Sequence, residues 1–125
     1  VKRVKPCDGI EQPVALMGPH AATMGVTFYT GNMFPAHYKN AIFSAQHGSW
    51  NRVPPSGYKV VYIPFNDRGF PDAKAKPIDV LTGFLSAKNE AQGRPAGVAI
   101  DKSGALLVAD DAGNRIWRVS APAGK

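Results

Sequence analysis

The sequence predicts an all-β chain, and three observations carry that expectation. Thirteen glycines and eleven prolines are spread along 125 residues and cut the chain into short segments, a punctuation that suits strands and turns better than helices. The apolar runs left between them are short and rich in β-branched and aromatic residues, and no window repeats at the helical period. One strand–turn–strand pattern also occurs twice.

In chain order the predicted strands are 25–29 (Gly-Val-Thr-Phe-Tyr), 41–46, 57–65, 77–84, 97–100, 105–109 and 115–119. The third is the strongest, with Tyr58, Val60, Val61, Tyr62 and Ile63 in one run, and Pro64 marks its exit or an edge position. The fourth is the weakest. Asp101-Lys102-Ser103-Gly104 reads as the turn between the fifth and sixth strands.

The repeat narrows the architecture. Ala105 to Ala112 follows Ala41 to Gly48 at an offset of 64 residues: a small residue, three mostly apolar ones, Ala, then polar residues. Asn-Arg follows in each copy, at Asn51-Arg52 and Asn114-Arg115, and a Gly-Val strand precedes each, at Gly25-Val26 and Gly97-Val98. Repetition of strand, turn, strand, loop and strand is the pattern of β-propeller blades. The chain then divides into a lead-in segment over 1–24, a complete four-stranded blade over 25–84 and a partial three-stranded blade over 85–125. Two such units leave sheet faces and edges open, so the expectation is a propeller fragment that needs the remainder of the ring as partner. The absence of an initial Met fits a fragment or a processed product.

Composition excludes several classes. The net charge is +6, but its densest cluster is only Lys2, Arg3 and Lys5, and neither zinc-finger nor helix-turn-helix spacing accompanies it, so no nucleic-acid partner is expected. The single cysteine, Cys7, cannot form an intrachain disulfide and reads as a lone structural thiol. No run approaches a membrane span, and no signal peptide is visible. A phosphate-binding glycine loop, a Cys/His metal motif and a nucleophile elbow are all missing.

From about Pro13 onward the chain resembles the C-terminal third of the soluble glucose/sorbosone dehydrogenase family, which uses pyrroloquinoline quinone (PQQ). The most specific segment is His47-Gly48-Ser49-Trp50-Asn51-Arg52, followed by Gly57-Tyr58-Lys59-Val60-Val61. Phe28-Tyr29-Thr30-Gly31, Thr82-Gly83-Phe84, Gly93 to Ala99 and the stretches from Leu107 and Ile116 add support. The resemblance implies a six-bladed propeller, PQQ as cofactor, a sugar or aldehyde substrate, an electron acceptor and a periplasmic or secreted setting. It also implies that the general base and the ligands of any calcium ion lie in earlier blades, outside this chain.

Within that frame Arg94 is the foremost cofactor-binding candidate. It precedes an inner strand, and a guanidinium can grip a quinone carboxylate with paired hydrogen bonds. A second Arg two residues later in the glucose branch is here Ala96. His47 is the second cofactor-binding candidate, at the place of a cofactor-contacting lysine. His20, just before the first strand, is the substrate-binding candidate. Arg52 is expected to pair with an acid and fix its loop, Trp50 and Trp117 to pack, and Lys74 and Lys76 to lie on a solvated loop. Asp110 and Asp111 resemble a metal pair, but neighbours on a strand point to opposite faces, so turn and cap roles are expected and no metal site. Two other functions share the fold: a lactonase-type hydrolase, which would place acidic metal ligands on the axis, and a non-enzymatic propeller that binds carbohydrate or protein.

Overall fold

The computed structural model describes residues 8–11, 13, 15–71 and 75–122. Cys7, Lys2, Arg3, Lys5 and Lys74 lie outside the described residues, and with them the expectations attached to these side chains.

Seven strands form two antiparallel sheets. The first has β1 (Thr23–Phe28), β2 (Ile42–Gln46), β3 (Lys59–Ile63) and β4 (Ile78–Leu81) side by side in that order. The second has β5 (Pro95–Ile100), β6 (Leu106–Asp110) and β7 (Arg115–Val119). Only a single 3-10 turn, Ala36–Tyr38, interrupts the β pattern among the described residues. All seven expected strands are present, the seventh with its expected ends and the other six with shifted ends. The third and fourth are both cut back, to Lys59–Ile63 and to Ile78–Leu81.

The repeat holds where packing enforces it and fails where it does not. β2 and β6 begin 64 residues apart, at Ile42 and Leu106, and the first strand of each sheet, β1 and β5, slips register just before a valine, Val26 or Val98. The two Asn-Arg pairs, however, are not equivalent. Asn114-Arg115 opens β7, whereas Asn51-Arg52 lies in a long exposed loop and β3 begins only at Lys59.

Alternation decides which residues form the core. Tyr29, Phe43, Val60 and Tyr62 share one face of the first sheet and meet Leu106 and Val108 of the second. Phe43 and Val60 are fully buried, as are Leu106 and Val108. Aromatic contacts extend this layer: the Tyr29 and Phe34 rings stack at 5.0 Å, and Tyr29 meets Phe43 edge-on at 5.6 Å.

The sheets touch most closely where their edge strands β1 and β5 meet. A Cβ on Gly25 would stand 2.6 Å from the Ala96 carbonyl oxygen and 2.8 Å from the Val98 nitrogen, so only glycine permits this approach. Tyr29, with no exposed surface, ties the same junction from its polar end. Its hydroxyl donates to the Gly104 carbonyl at 3.0 Å and accepts from the backbone N–H groups of Met33 and Phe34, both at 2.9 Å. A buried phenol so paired costs little to desolvate. Among the described residues no helix is long and apolar enough to cross a membrane.

Candidate functional site

Arg94 and His47 come together at the rim between the two sheets. His47 directly follows β2, and its backbone N–H donates to the Ala22 carbonyl, which fixes the chain just past the strand. Arg94 directly precedes Pro95, the first residue of β5. Its Nη1 donates to His47 Nδ1 at 3.3 Å, and its Nη2 donates to the Ser49 carbonyl at 3.2 Å and to Tyr58 Oη at 2.7 Å. The guanidinium also lies over the Tyr58 ring, 5.0 Å from its centre, a cation–π arrangement. Tyr58 in turn donates its hydroxyl proton to the Ser49 carbonyl.

Tyr58 was missed as a site residue, because its apolar run reads as the start of a strand. It is instead buried just ahead of β3, with φ 57, a left-handed backbone that a bulky side chain rarely adopts. Such backbone geometry persists only where neighbours over-determine it. Here Arg94 and the Ser49 carbonyl do so.

The two adjacent aspartates divide at the end of β6, Asp110 as its last residue and Asp111 as the first of the turn that follows. Asp110, the last residue of β6, is 2% exposed and points between the sheets. Its Oδ1 accepts the backbone N–H groups of Arg94 at 2.7 Å and Gly113 at 2.8 Å, and its Oδ2 accepts the Trp117 indole N–H at 3.1 Å. Gly93 and Gly113 make room for it, since a Cβ on either would stand 2.3 Å from Oδ2. Burial pushes this carboxyl's pKa up, but the N–H donors and the nearby Arg115 pull it further down, so it stays below its ordinary value. Asp111, in the turn, serves a different partner. Its carboxylate accepts His47 Nε2–H at 2.9 and 3.1 Å. The turn-and-cap expectation thus describes Asp110 in part, through Gly113, but misses its hold on Arg94 and the pairing of Asp111 with His47.

Electrostatics give the cluster its character. Arg94 donates to three acceptors among the described residues, which leaves part of its guanidinium free to donate elsewhere. The His47 ring has its N–H on Asp111 and its lone pair toward Arg94, so a direct hydrogen bond from this ring to a ligand carboxylate is not available in this arrangement. No group of three or more metal-ligating side chains gathers among the described residues.

His20 is exposed, with φ 59, and stands two residues before Ala22, the backbone partner of His47. The chain brings its backbone to the same rim, but its side chain makes no hydrogen bond to Arg94 or His47. Arg52 is exposed and forms none of the ion pairs among the described residues. Trp50 does not pack: it is 89% exposed, because the long loop after His47 carries it off the sheet. Trp117 packs edge-on against Phe84 at 6.2 Å. An open cavity of about 880 Å³ lies elsewhere, between the segment around Leu16 and Met17 and the outer face of β3 at Lys59 and Val61. Neither it nor a smaller polar cavity of about 330 Å³ at Thr30 to Asn32 and Asp101 to Gly104 is lined by Arg94 or His47.

Comparison with known proteins gives this cluster a context. A sequence model described as TrAA12-like matches residues 3–122. An uncharacterized protein of Borreliella burgdorferi is 40% identical over 100 residues, 80% of this chain and 26% of that protein. A pyrroloquinoline quinone-dependent pyranose dehydrogenase of Coprinopsis cinerea is 43% identical over 53 residues, 42% of this chain and 6% of that enzyme. Among solved structures, the holo form of the PQQ domain of pyranose dehydrogenase from Coprinopsis cinerea superposes with a TM-score of 0.69 at 31% identity, covering 87% of this chain and 29% of that one. A Trichoderma reesei enzyme of carbohydrate-active family AA12 superposes with a TM-score of 0.61 at 22% identity, covering 78% of this chain and 24% of that one, a likeness of fold alone. The chain therefore spans about a quarter of the relatives that it matches over most of its length.

Proposed function

The chain belongs to the TrAA12-like family, and on that premise we propose that it is the C-terminal portion of a PQQ-dependent oxidoreductase acting on a sugar or aldehyde. The two sheets are then a complete blade (25–84) and a partial blade (85–125) of a six-bladed propeller, with 1–24 leading in. This family match is broader than the soluble glucose/sorbosone branch, so a sorbosone-type substrate is the narrower part of the proposal. A periplasmic or secreted setting and an external electron acceptor complete it. The general base and any calcium ligands would come from elsewhere in the protein.

One observation carries the reading: a guanidinium is held from two sides at the junction of the sheets, with donors to spare. The quinone bears three carboxylates, and an anion removed from water needs a cationic or hydrogen-bonding partner. The donor set present fits that demand. Arg94 would hold the group with its free N–H donors, backed by Tyr58 and Ser49. His47 would serve as the second cofactor-binding residue through its hold on Arg94, not by a hydrogen bond from its own ring, and His20 would meet the substrate at the rim. When bound, the quinone supplies the two-electron acceptor for hydride removal from the sugar. This chain's residues bind, orient and keep Arg94 in place. The expected second Arg is absent at Ala96, which puts more of the grip on Arg94.

The test is quinone titration of the complete protein. Arg94→Ala should weaken binding by about 1.5–3 kcal/mol, the scale of a hydrogen bond to a charged group, while Lys76→Ala should leave it unchanged. Equal affinity in wild type and Arg94→Ala would remove Arg94 from the site. No quinone binding by the wild type would favour a propeller that binds carbohydrate or protein without redox chemistry.

A further inference from the structure

Arg94 is always a donor and never an acceptor. Its 3.3 Å contact with His47 Nδ1 therefore requires a lone pair on that nitrogen, which puts the ring proton on Nε2. That proton is the one the Asp111 carboxylate accepts, at 2.9 and 3.1 Å. A single chain of donors results: Arg94 to His47, His47 to Asp111. In the opposite tautomer the ring would present an N–H to the guanidinium, donor against donor, and nothing would hold Nη1 in its present direction.

From this network we propose that Asp111 is a positioning residue, which selects the His47 tautomer and thereby fixes the direction of the Arg94 guanidinium. The proposal rests on the quinone reading for its consequence, since a fixed guanidinium matters when a planar carboxylate ligand must be met in one orientation. The parts divide the work by geometry. Asp110 holds the Arg94 backbone N–H from the buried side of β6. Asp111, one residue on in the turn, holds the side chain through the imidazole. Tyr58 and the Ser49 carbonyl fix Nη2 independently of both, so loss of Asp111 should loosen the guanidinium without releasing it. The Asp111 side chain is 57% exposed and that of His47 19% exposed. Removing this carboxylate therefore leaves no buried hole, and a change in function would not arise from misfolding.

Two variants and two readouts test this in the complete protein. Asp111→Ala deletes the acceptor, and Asp111→Asn keeps an acceptor oxygen without the charge. Nitrogen NMR of 15N-histidine-labelled protein reads the tautomer of His47 directly, with or without quinone, the signal being assigned by its loss in His47→Gln. The wild type and Asp111→Asn should show the Nε2–H form, and Asp111→Ala a mixture. Quinone affinity should fall about fivefold in Asp111→Ala, the scale of one neutral hydrogen bond, and recover in Asp111→Asn. An unchanged single tautomer in Asp111→Ala overturns the proposal, and so does an affinity equal to wild type once the tautomer has changed. If the wild type binds no quinone while the tautomer responds as stated, the functional reading fails and the positioning of Arg94 by Asp111 stands.

Discussion

Asp110 offers the sharpest test of how the second sheet holds the site. Asp110→Ala removes the acceptor of three N–H groups, and the arithmetic depends on where each donor can turn. Trp117 is 38% exposed, so its indole can find water and is discounted. The backbone N–H groups of Arg94 and Gly113 lie 2.7 and 2.8 Å from Oδ1, inside the pocket that Gly93 and Gly113 close. Each costs about 1–3 kcal/mol when left unpaired and dry. Part of this returns, because the variant no longer desolvates a carboxylate. The expected net loss is about 2–4 kcal/mol for Asp110→Ala, and about 1–2 kcal/mol for Asp110→Asn, which keeps the shape and one acceptor oxygen. Urea unfolding of the complete protein, followed by tryptophan fluorescence and far-ultraviolet circular dichroism at matched slopes, measures both. Acid gives an independent check. The folded carboxyl titrates below its ordinary value, so its contribution is full above about pH 4 and is lost as pH falls through the folded value. The gap between wild type and Asp110→Asn should therefore shrink on acidification. Unfolding of both variants within about 0.5 kcal/mol of wild type at neutral pH, the scatter of ordinary surface changes, would refute the assignment of Asp110 as the buried clamp.

Two further substitutions probe the junction of the sheets. Gly25→Ala would drive a methyl to 2.6 Å from the Ala96 carbonyl and should destabilise by about 1–3 kcal/mol, read as a lowered urea midpoint; a wild-type midpoint would mean that the sheets do not meet there. Tyr29→Phe strips the hydroxyl shared by Gly104, Met33 and Phe34 and should cost about 1–3 kcal/mol, with Tyr29→Leu worse because the ring stack on Phe34 also goes; equal stability of Tyr29→Phe and wild type would count against the bridge.

The strands were legible because their signal is local. Val60, Val61, Tyr62 and Ile63 would form a strand in almost any setting, and Asp101 with Gly104 makes a tight turn from its own side chain, whose Oδ1 accepts the N–H groups of Ser103 and Ala105. What could not be read locally was the loop between β2 and β3. Asn51-Arg52 looks like the second Asn-Arg pair, but only Asn114 sits at φ 51 directly ahead of a strand. Two residues of similarity do not specify a turn when the loops around them differ in length. Trp50 failed for the same reason. Large apolar residues are usually buried, but a loop that leaves the sheet carries its tryptophan with it, and no periodicity in the sequence records that departure.

The site divides along the same line. Arg94 and His47 lie 47 residues apart, and no pattern within either segment states that they meet; the resemblance makes each a cofactor-binding candidate, but their direct contact comes from the fold alone. Tyr58 and Asp111 had no such guide. Tyr58 belongs to the strongest strand signal in the chain, and the same composition that makes β3 legible hides a residue whose backbone is left-handed and whose hydroxyl serves Arg94. Asp111 is hidden by Asp110: read as a pair they suggest metal or a turn. Only when β6 ends at Asp110, buried on the Arg94 backbone, and the turn brings Asp111 to His47 do they acquire separate roles. The guanidinium at the centre of the cluster is therefore held by residues whose chemistry is ordinary and whose placement is not. Its direction depends on one buried carboxylate behind its main chain, one exposed carboxylate acting through an imidazole, and one phenol beneath its plane.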